Sequence, residues 1–263
     1  MKSLENYSLR NDEGYHYKSA VCSVACAIGN EFESYDINSR IIELTQSYFN
    51  QWKIVINTYS KLDSKFQELN TKSDQNLTQD PFSEYDIHAL ELETYFSDYT
   101  YVLIISMKTL LDIMACIIDI TVNRKDRSEY SLPDFFSISD PKKKYVDGEI
   151  REKLKSLSSN PEILKIKEIR NKLIHRGYSL KTSIAFSKTN QLVLTVYKGV
   201  DFYTCENFNV GDSFESFISN LNNIESQISE VLIHNIKELN HTLSYEVSFT
   251  FDGGHNSYNY KEI

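Results

Sequence analysis

Apolar residues recur in steps of three and four from residue 37 to about residue 70, at Ile41, Leu44, Tyr48, Trp52, Val55, Tyr59, Leu62, Phe66 and Leu69. That spacing predicts a long helix with one core-facing stripe. A polar stretch, TKSDQNLTQ, separates it from a second long helix that runs to about residue 123, with Asp80 and Pro81 reading as its N-cap and first residue. The second helix turns apolar on nearly every side after Tyr99, which marks it as the central one. Shorter helices are expected at 18–28 and 149–157, with loops around Phe135 and Phe136 between the second long helix and the 149–157 helix.

The segment NPEILKIKEIRNKLIHRG carries both of its own ends: Asn160 as cap, Pro161 in the first turn, Gly177 as the left-handed stop. After it the period drops to two. TSIAF and QLVLTVY alternate around SKTN and predict a β-hairpin over 182–197, with DFYTC as a third strand. A last helix is expected over 213–239 through Phe217, Leu221, Ile224, Ile228, Val231 and Ile236. The tail YEVSFTFDGG alternates again and is expected to add a strand to the same small sheet. The resulting fold class is mainly α, an antiparallel helical bundle with a small sheet before its last helix. Its expected divisions are an N-terminal extension with a short helix (1–36), a helical domain (37–240) and a C-terminal tail (241–263).

Composition supports the helical reading, because 8 glycines and 4 prolines in 263 residues leave little material for the turns of an all-β fold. The polar start and the short apolar run AVCSVACAIG do not read as a secretory signal. The strongest apolar stretch, 102–120, is interrupted by Ser106, Lys108, Thr109, Asp112 and Asp119 and reads as core. Cys22, Cys26, Cys116 and Cys205 lack the paired spacing of a zinc site and read as reduced, buried thiols, which suits a cytoplasmic location. The formal charge of −9 argues against a nonspecific nucleic-acid coat. Yet residues 161–181 hold six basic side chains against two acidic ones, whereas Lys142, Lys143 and Lys144 read as a solvated loop.

That basic island coincides with the one stretch that carries chemistry. On a helical wheel at about 100° per residue from Ile163, Leu173, Ile166 and Ile174 form an apolar stripe and Arg170 falls at roughly 340°, inside it. Asn171 and His175 fall at roughly 80° and 120°, one turn apart on the adjoining edge. A buried guanidinium needs a partner, either a carboxylate, for which Asp112 on the central helix is the candidate, or an anionic ligand. Arg, Asn and His together suit phosphodiester chemistry in RNA. A histidine can take a proton from a 2′-hydroxyl or give one to a leaving 5′-oxygen, and a guanidinium can hold the phosphate and its extra transition-state charge. Such cleavage needs neither metal nor cofactor. The chain has no HExxH, no Walker-type or GxGxxG loop and no GxSxG elbow to support another hydrolase class.

RNKLIHRG resembles the R-x4-6-H motif of the HEPN superfamily, with Arg170, the polar Asn171 that often follows it, and His175. Members are α-helical domains that commonly act as metal-independent RNases in toxin, phage-defence and RNA-processing systems. Two long antiparallel helices precede a shorter motif helix in that family, and a further helix closes the bundle, an order similar to the one expected here. The resemblance implies a homodimer whose two motifs line one cleft, with Arg170 on the phosphate, His175 as general base or acid and Asn171 positioning. Lys167, Lys172 and Arg176 would then bind RNA, Asp112 and Tyr178 would give support, and an antitoxin or regulatory protein would be a further partner. One departure concerns the tyrosine that follows the histidine by two residues in toxins paired with minimal nucleotidyltransferases: Gly177 holds that place and Tyr178 comes one later. A noncatalytic HEPN module that binds RNA, a nucleotide or a protein is the alternative, and a structural Arg170–Asp112 pair the plainest one.

Overall fold

The computed structural model describes residues 9–11, 14–30, 35–73, 85–125, 133–185, 191–198, 201–235, 245–252 and 255–262. The expected helix start at Asp80 and Pro81, the SKTN turn and Ile236 lie outside them. The fold is mainly helical. In chain order it runs β1 (Leu9–Asn11), β2 (Gly14–Lys18), α1 (Ala20–Asn30), α2 (Tyr35–Ser73), α3 (Tyr85–Asn123), α4 (Gly148–Ser158), α5 (Pro161–His175), β3 (Ser179–Ala185), β4 (Gln191–Lys198), β5 (Asp201–Asn209), α6 (Val210–Asn235), β6 (Tyr245–Asp252) and β7 (His255–Glu262). Among the described residues one helix, α3 from residue 91, is long and apolar enough to cross a bilayer, and 61% of its most apolar window is buried inside the fold. The chain divides into two compact units, each assembled from separated stretches.

The first unit gathers Met1–Trp52, Thr109–Ile163 and Ile218–Ile263. Its sheet has the order β1-β2-β6-β7, all antiparallel, with Tyr15 opposite Phe251 and Val247 opposite Tyr260. The alternating tail therefore does form a strand, but the expectation that it extends the small sheet before the last helix is corrected. β6 pairs instead with β2, from the segment expected as an extension, and with β7, which returns after the Gly253-Gly254 pair. Period-two alternation announces a strand without naming its partner, and this partner lies more than two hundred residues away.

The core of this unit includes Tyr48, Phe49, Leu111, Ile117, Phe135 and Ile228, all fully buried. Each such side chain contributes about 1.5–3 kcal/mol by leaving water. Two polar features pin elements in place. Along α3, Asp112 accepts the Phe135 backbone N–H at 3.0 Å, Cys116 Sγ meets the Pro133 carbonyl at 3.6 Å, and Asn123 Nδ2 donates to Asp119 Oδ1 at 2.7 Å and to the Tyr145 carbonyl.

At the start of α1, Ser19 caps the helix by accepting the Cys22 N–H at 3.1 Å, and the buried Glu225 of α6 accepts the Ala20 N–H at 2.9 Å. Tyr48 donates its hydroxyl to the same carboxylate. Burial pushes the Glu225 carboxyl above its ordinary value, only partly opposed by the hydrogen bonds from Tyr48, Ser19 and the helix start. Burial, and then the Glu225 charge, pushes the Tyr48 hydroxyl and the Cys22 thiol up as well, so Cys22 is held as an unreactive thiol.

The second unit gathers Lys53–Lys108 and Leu164–Phe217. Its sheet has the order β3-β4-β5, and the predicted hairpin and third strand are both present. Alternate residues Leu194 and Val196 of β4 are buried while Val193, Thr195 and Tyr197 are less so, the period-two signature of a half-covered sheet. β3 is fastened to α3 by the Thr182 N–H donating to Ser97 Oγ at 3.0 Å and by Lys181 Nζ paired with Glu93 Oε1 at 2.7 Å. Tyr59 of α2 stacks on Phe214 at the start of α6, ring centroids 3.7 Å apart and nearly parallel.

Candidate functional site

The site helix, α5, is built by its own ends. Asn160 Oδ1 accepts the N–H groups of Glu162 (3.0 Å) and Ile163 (3.3 Å), and Pro161 opens the helix where no donor is needed. At the far end Gly177 takes φ +65°, a conformation that a side chain disfavours, and the chain folds back so that the Tyr178 N–H reaches the Lys172 carbonyl at 3.2 Å. His175 is thereby the last helical residue and Tyr178 enters β3 one residue later.

The packed face of α5 is Ile163, Ile166 and Ile169, all buried, while Leu173 is half-buried and Ile174 is 42% exposed. This corrects the expected stripe, which counted Ile174 and omitted Ile169. The buried arc runs from roughly 240° to 0° on the wheel and Arg170 at roughly 340° falls within it, but burial ends along the helix at Ile169, residues 170–173 being half-buried and 174–177 exposed, so Arg170 is partly open to solvent. A half-exposed arginine needs no buried carboxylate.

Arg170 turns to its own helix. Its Nη1 donates to Asn171 Oδ1 at 3.2 Å and lies 2.8 Å from His175 Nε2. A guanidinium has no acceptor, so His175 Nε2 is the acceptor and this bond belongs to the neutral imidazole with its proton on Nδ1. Five helical positions place the two Cα atoms about 7.5 Å apart along the axis, a gap that the arginine's length spans. The structure brings Arg170, Asn171 and His175 into one hydrogen-bonded group, with Arg170 and Asn171 partly exposed and His175 exposed.

The other expected site residues divide. Lys172 Nζ lies 6.0 Å from the centre of the Tyr178 ring, and Arg176 is exposed at the helix end. Lys167, on the same helix, is partly buried. Asp112 belongs to the first unit, where it receives the Phe135 N–H. The charge of Lys181, counted in the basic island, is met by Glu93. The exposed Lys142, Lys143 and Lys144 occupy a turn, as the sequence suggested.

Sequence reasoning missed Lys198, whose Nζ lies 5.7 Å from the centre of the Tyr178 ring. The available signal was the hairpin register: Ser179 pairs with Tyr197, so the ladder carries Lys198 alongside Tyr178.

No family model matches the chain, and neither a curated protein nor a solved structure does.

Proposed function

We propose that the chain is a metal-independent endoribonuclease of HEPN type, working as a homodimer in the cytoplasm. The observation that carries this reading is the 2.8 Å approach of Arg170 Nη1 to His175 Nε2 at the solvent-exposed end of a capped, basic helix. A phosphodiester entering beside Arg170 would draw the guanidinium to its oxygens and release the Nε2 lone pair. That nitrogen then takes the proton of the 2′-hydroxyl as the 2′-oxygen bonds to phosphorus. The bond from phosphorus to the 5′-oxygen breaks, a proton passes to that oxygen, and the products are a 2′,3′-cyclic phosphate and a 5′-hydroxyl. Asn171, bonded to the guanidinium, positions it.

One chain supplies a single histidine for two proton transfers, and a second copy would supply the other. The apolar Ile174, 42% exposed next to His175, is a side chain that a second copy would cover. Toxin or defence work, with an antitoxin or regulatory protein as partner, is the biological setting of this reading. The deciding experiment incubates RNA with the protein in EDTA and analyses the product ends. Cleavage to cyclic phosphate that disappears in His175→Ala supports the reading; equal cleavage by wild type and His175→Ala refutes the site.

A second reading, a noncatalytic module of the same type that binds RNA, takes its support from the same bond, because an imidazole engaged by Arg170 is not free to act as base. Retained RNA binding without cleavage over a broad substrate panel would decide for it.

A further inference from the structure

Among the described residues four take left-handed backbone: Arg124, Lys144, Gly148 and Gly177. Glycine suits such a place because it has no Cβ to clash. At the other two, both at φ 52°, the chain keeps a long cation where glycine or asparagine would be less strained. The two lie together. Arg124 follows the last residue of α3 and closes that helix with its N–H on the Ile120 carbonyl at 2.9 Å, the usual place of a C-terminal glycine. Lys144 ends a turn organised by Asp140, whose Oδ1 accepts the Lys142 N–H at 2.9 Å and whose carbonyl accepts the Lys143 N–H at 3.0 Å. One hydrogen bond, from Asn123 Nδ2 to the Tyr145 carbonyl, ties the residue before Arg124 to the residue after Lys144. Tyr145 and Val146 are buried and anchor the loop, while Arg124, Lys125, Lys142, Lys143 and Lys144 are exposed.

Grouping like charges is unfavourable by itself. Among the described residues no carboxylate pairs with Lys125, Lys142, Lys143 or Lys144; Asp140 is engaged in the turn, and Asp147 meets Arg151 at 3.2 Å. Five cations spread over two loop segments match the repeated charges of a polyanion, each on its own phosphate, and need no common point. The exposed large apolar side chains, Ile54, Tyr101, Val102 and Ile174, all belong to the second unit, so this surface has no such side chain to insert into a bilayer. That favours a phosphate backbone in solution.

We propose that Arg124, Lys125, Lys142, Lys143 and Lys144 form a docking surface for the sugar-phosphate backbone of RNA; this rests on the RNA reading above. The first unit, which has no part in the proposed chemistry, then holds substrate. Contacts of this kind add affinity without reading sequence.

The test measures binding of a fluorescent 2′-O-methyl RNA oligomer, which lacks the attacking hydroxyl, to the full-length chain across a series of salt concentrations. Each phosphate contact on a single strand contributes about 0.7 to the slope of log affinity against log salt. Lys142→Gln, Lys143→Gln and Lys144→Gln together are expected to flatten that slope by about 2 and to weaken binding about tenfold or more. Lys155→Gln, at an exposed lysine of α4 in the same unit, is expected to leave both unchanged. Lys144→Gly is expected to weaken binding without lowering the urea midpoint, because glycine relieves the left-handed backbone as it removes the cation. If wild type binds in a salt-dependent way that the triple variant does not alter, or that Lys155→Gln alters as much per charge, the surface is overturned and the RNA reading stands. If the triple variant loses binding to phosphatidylserine vesicles while its RNA binding is unchanged, the occupant is a membrane and the proposal is equally overturned. If wild type shows no salt-dependent RNA binding, both fall.

Discussion

Arg170 Nη1 and His175 Nε2 stand 2.8 Å apart, five residues along one helix, with the imidazole as the accepting partner. The two groups that the proposed chemistry needs are therefore held together before any ligand arrives, each occupying the other. The arrangement costs little to open, because His175 is exposed and Arg170 partly so, and water can replace either partner. It also fixes a protonation requirement: an Nε2 that carries a proton cannot accept from the guanidinium.

Replacing His175 or Arg170 by alanine should lower RNA cleavage by about 100-fold or more, the usual worth of a positioned acid or base. Neither change should alter thermal unfolding much, since exposed side chains outside a buried network move stability by about 0.5 kcal/mol or less. Arg170→Lys should recover only part of the loss, because an ammonium cannot hold a phosphate in two-pronged fashion. Cleavage assays beside melting curves separate these outcomes; a large fall in melting temperature in His175→Ala would assign that residue to the fold.

Ile174→Asp should convert a dimer to a monomer and abolish cleavage while the chain stays folded. A charge placed on an apolar side chain that a second copy covers would be buried without a partner, at a cost of several kcal/mol. Light scattering at micromolar concentration reads the change in mass directly. A wild-type chain that is already monomeric would remove the dimeric cleft from the proposed mechanism.

Local signals were legible in the sequence. The apolar steps through Ile41, Tyr48, Val55 and Leu62 gave α2, and each of those residues is buried. Asn160, Pro161 and Gly177 marked the ends of α5, and alternation marked β3 and β4. What a wheel leaves open is how far along a helix the packing extends: Arg170 falls within the buried arc, yet α5 is half-buried or exposed from residue 170 onward. The pairing of β2 with β6 was closed to local reasoning too, since alternation carries no address. Glu225 had a faint signature. It stands four residues after Leu221 and one after Ile224, an apolar position filled by an acid.

Asn160→Ala should cost about 1 kcal/mol of stability, the ordinary worth of an N-cap. It removes the acceptor for the Glu162 and Ile163 N–H groups and also the 3.0 Å bond to Asn220 Oδ1. Urea unfolding should show a lower midpoint with an unchanged slope, and the folded fraction should cleave RNA as wild type does, because the cap lies ten residues before Arg170. A loss of activity larger than the unfolded fraction explains would mean that the cap also sets the geometry of the motif.

Glu225 should make the fold less stable as pH rises from acid toward neutral. Burial raises its folded-state value above the ordinary one near 4.5, so in the window between the two the native state holds a proton that the unfolded chain releases. Stability is then full below about 4.5, falls as pH rises through that window, and levels off once the carboxyl ionises in the folded state as well. Tyr48 and Cys22, the titratable groups beside it, are also raised, so they stay neutral throughout the window and contribute no slope there. Glu225→Gln cannot ionise, and its single amide oxygen replaces only one of the two carboxylate oxygens that accept from Tyr48 and from Ala20, so the variant is compared by its slope with pH and not by its absolute stability. Urea midpoints measured from pH 4 upward should show a smaller loss of stability with pH in the variant than in wild type. Parallel curves for the two proteins would mean that Glu225 is ionised in the native state throughout, held charged by the Tyr48 hydroxyl and the start of α1 against the cost of burial.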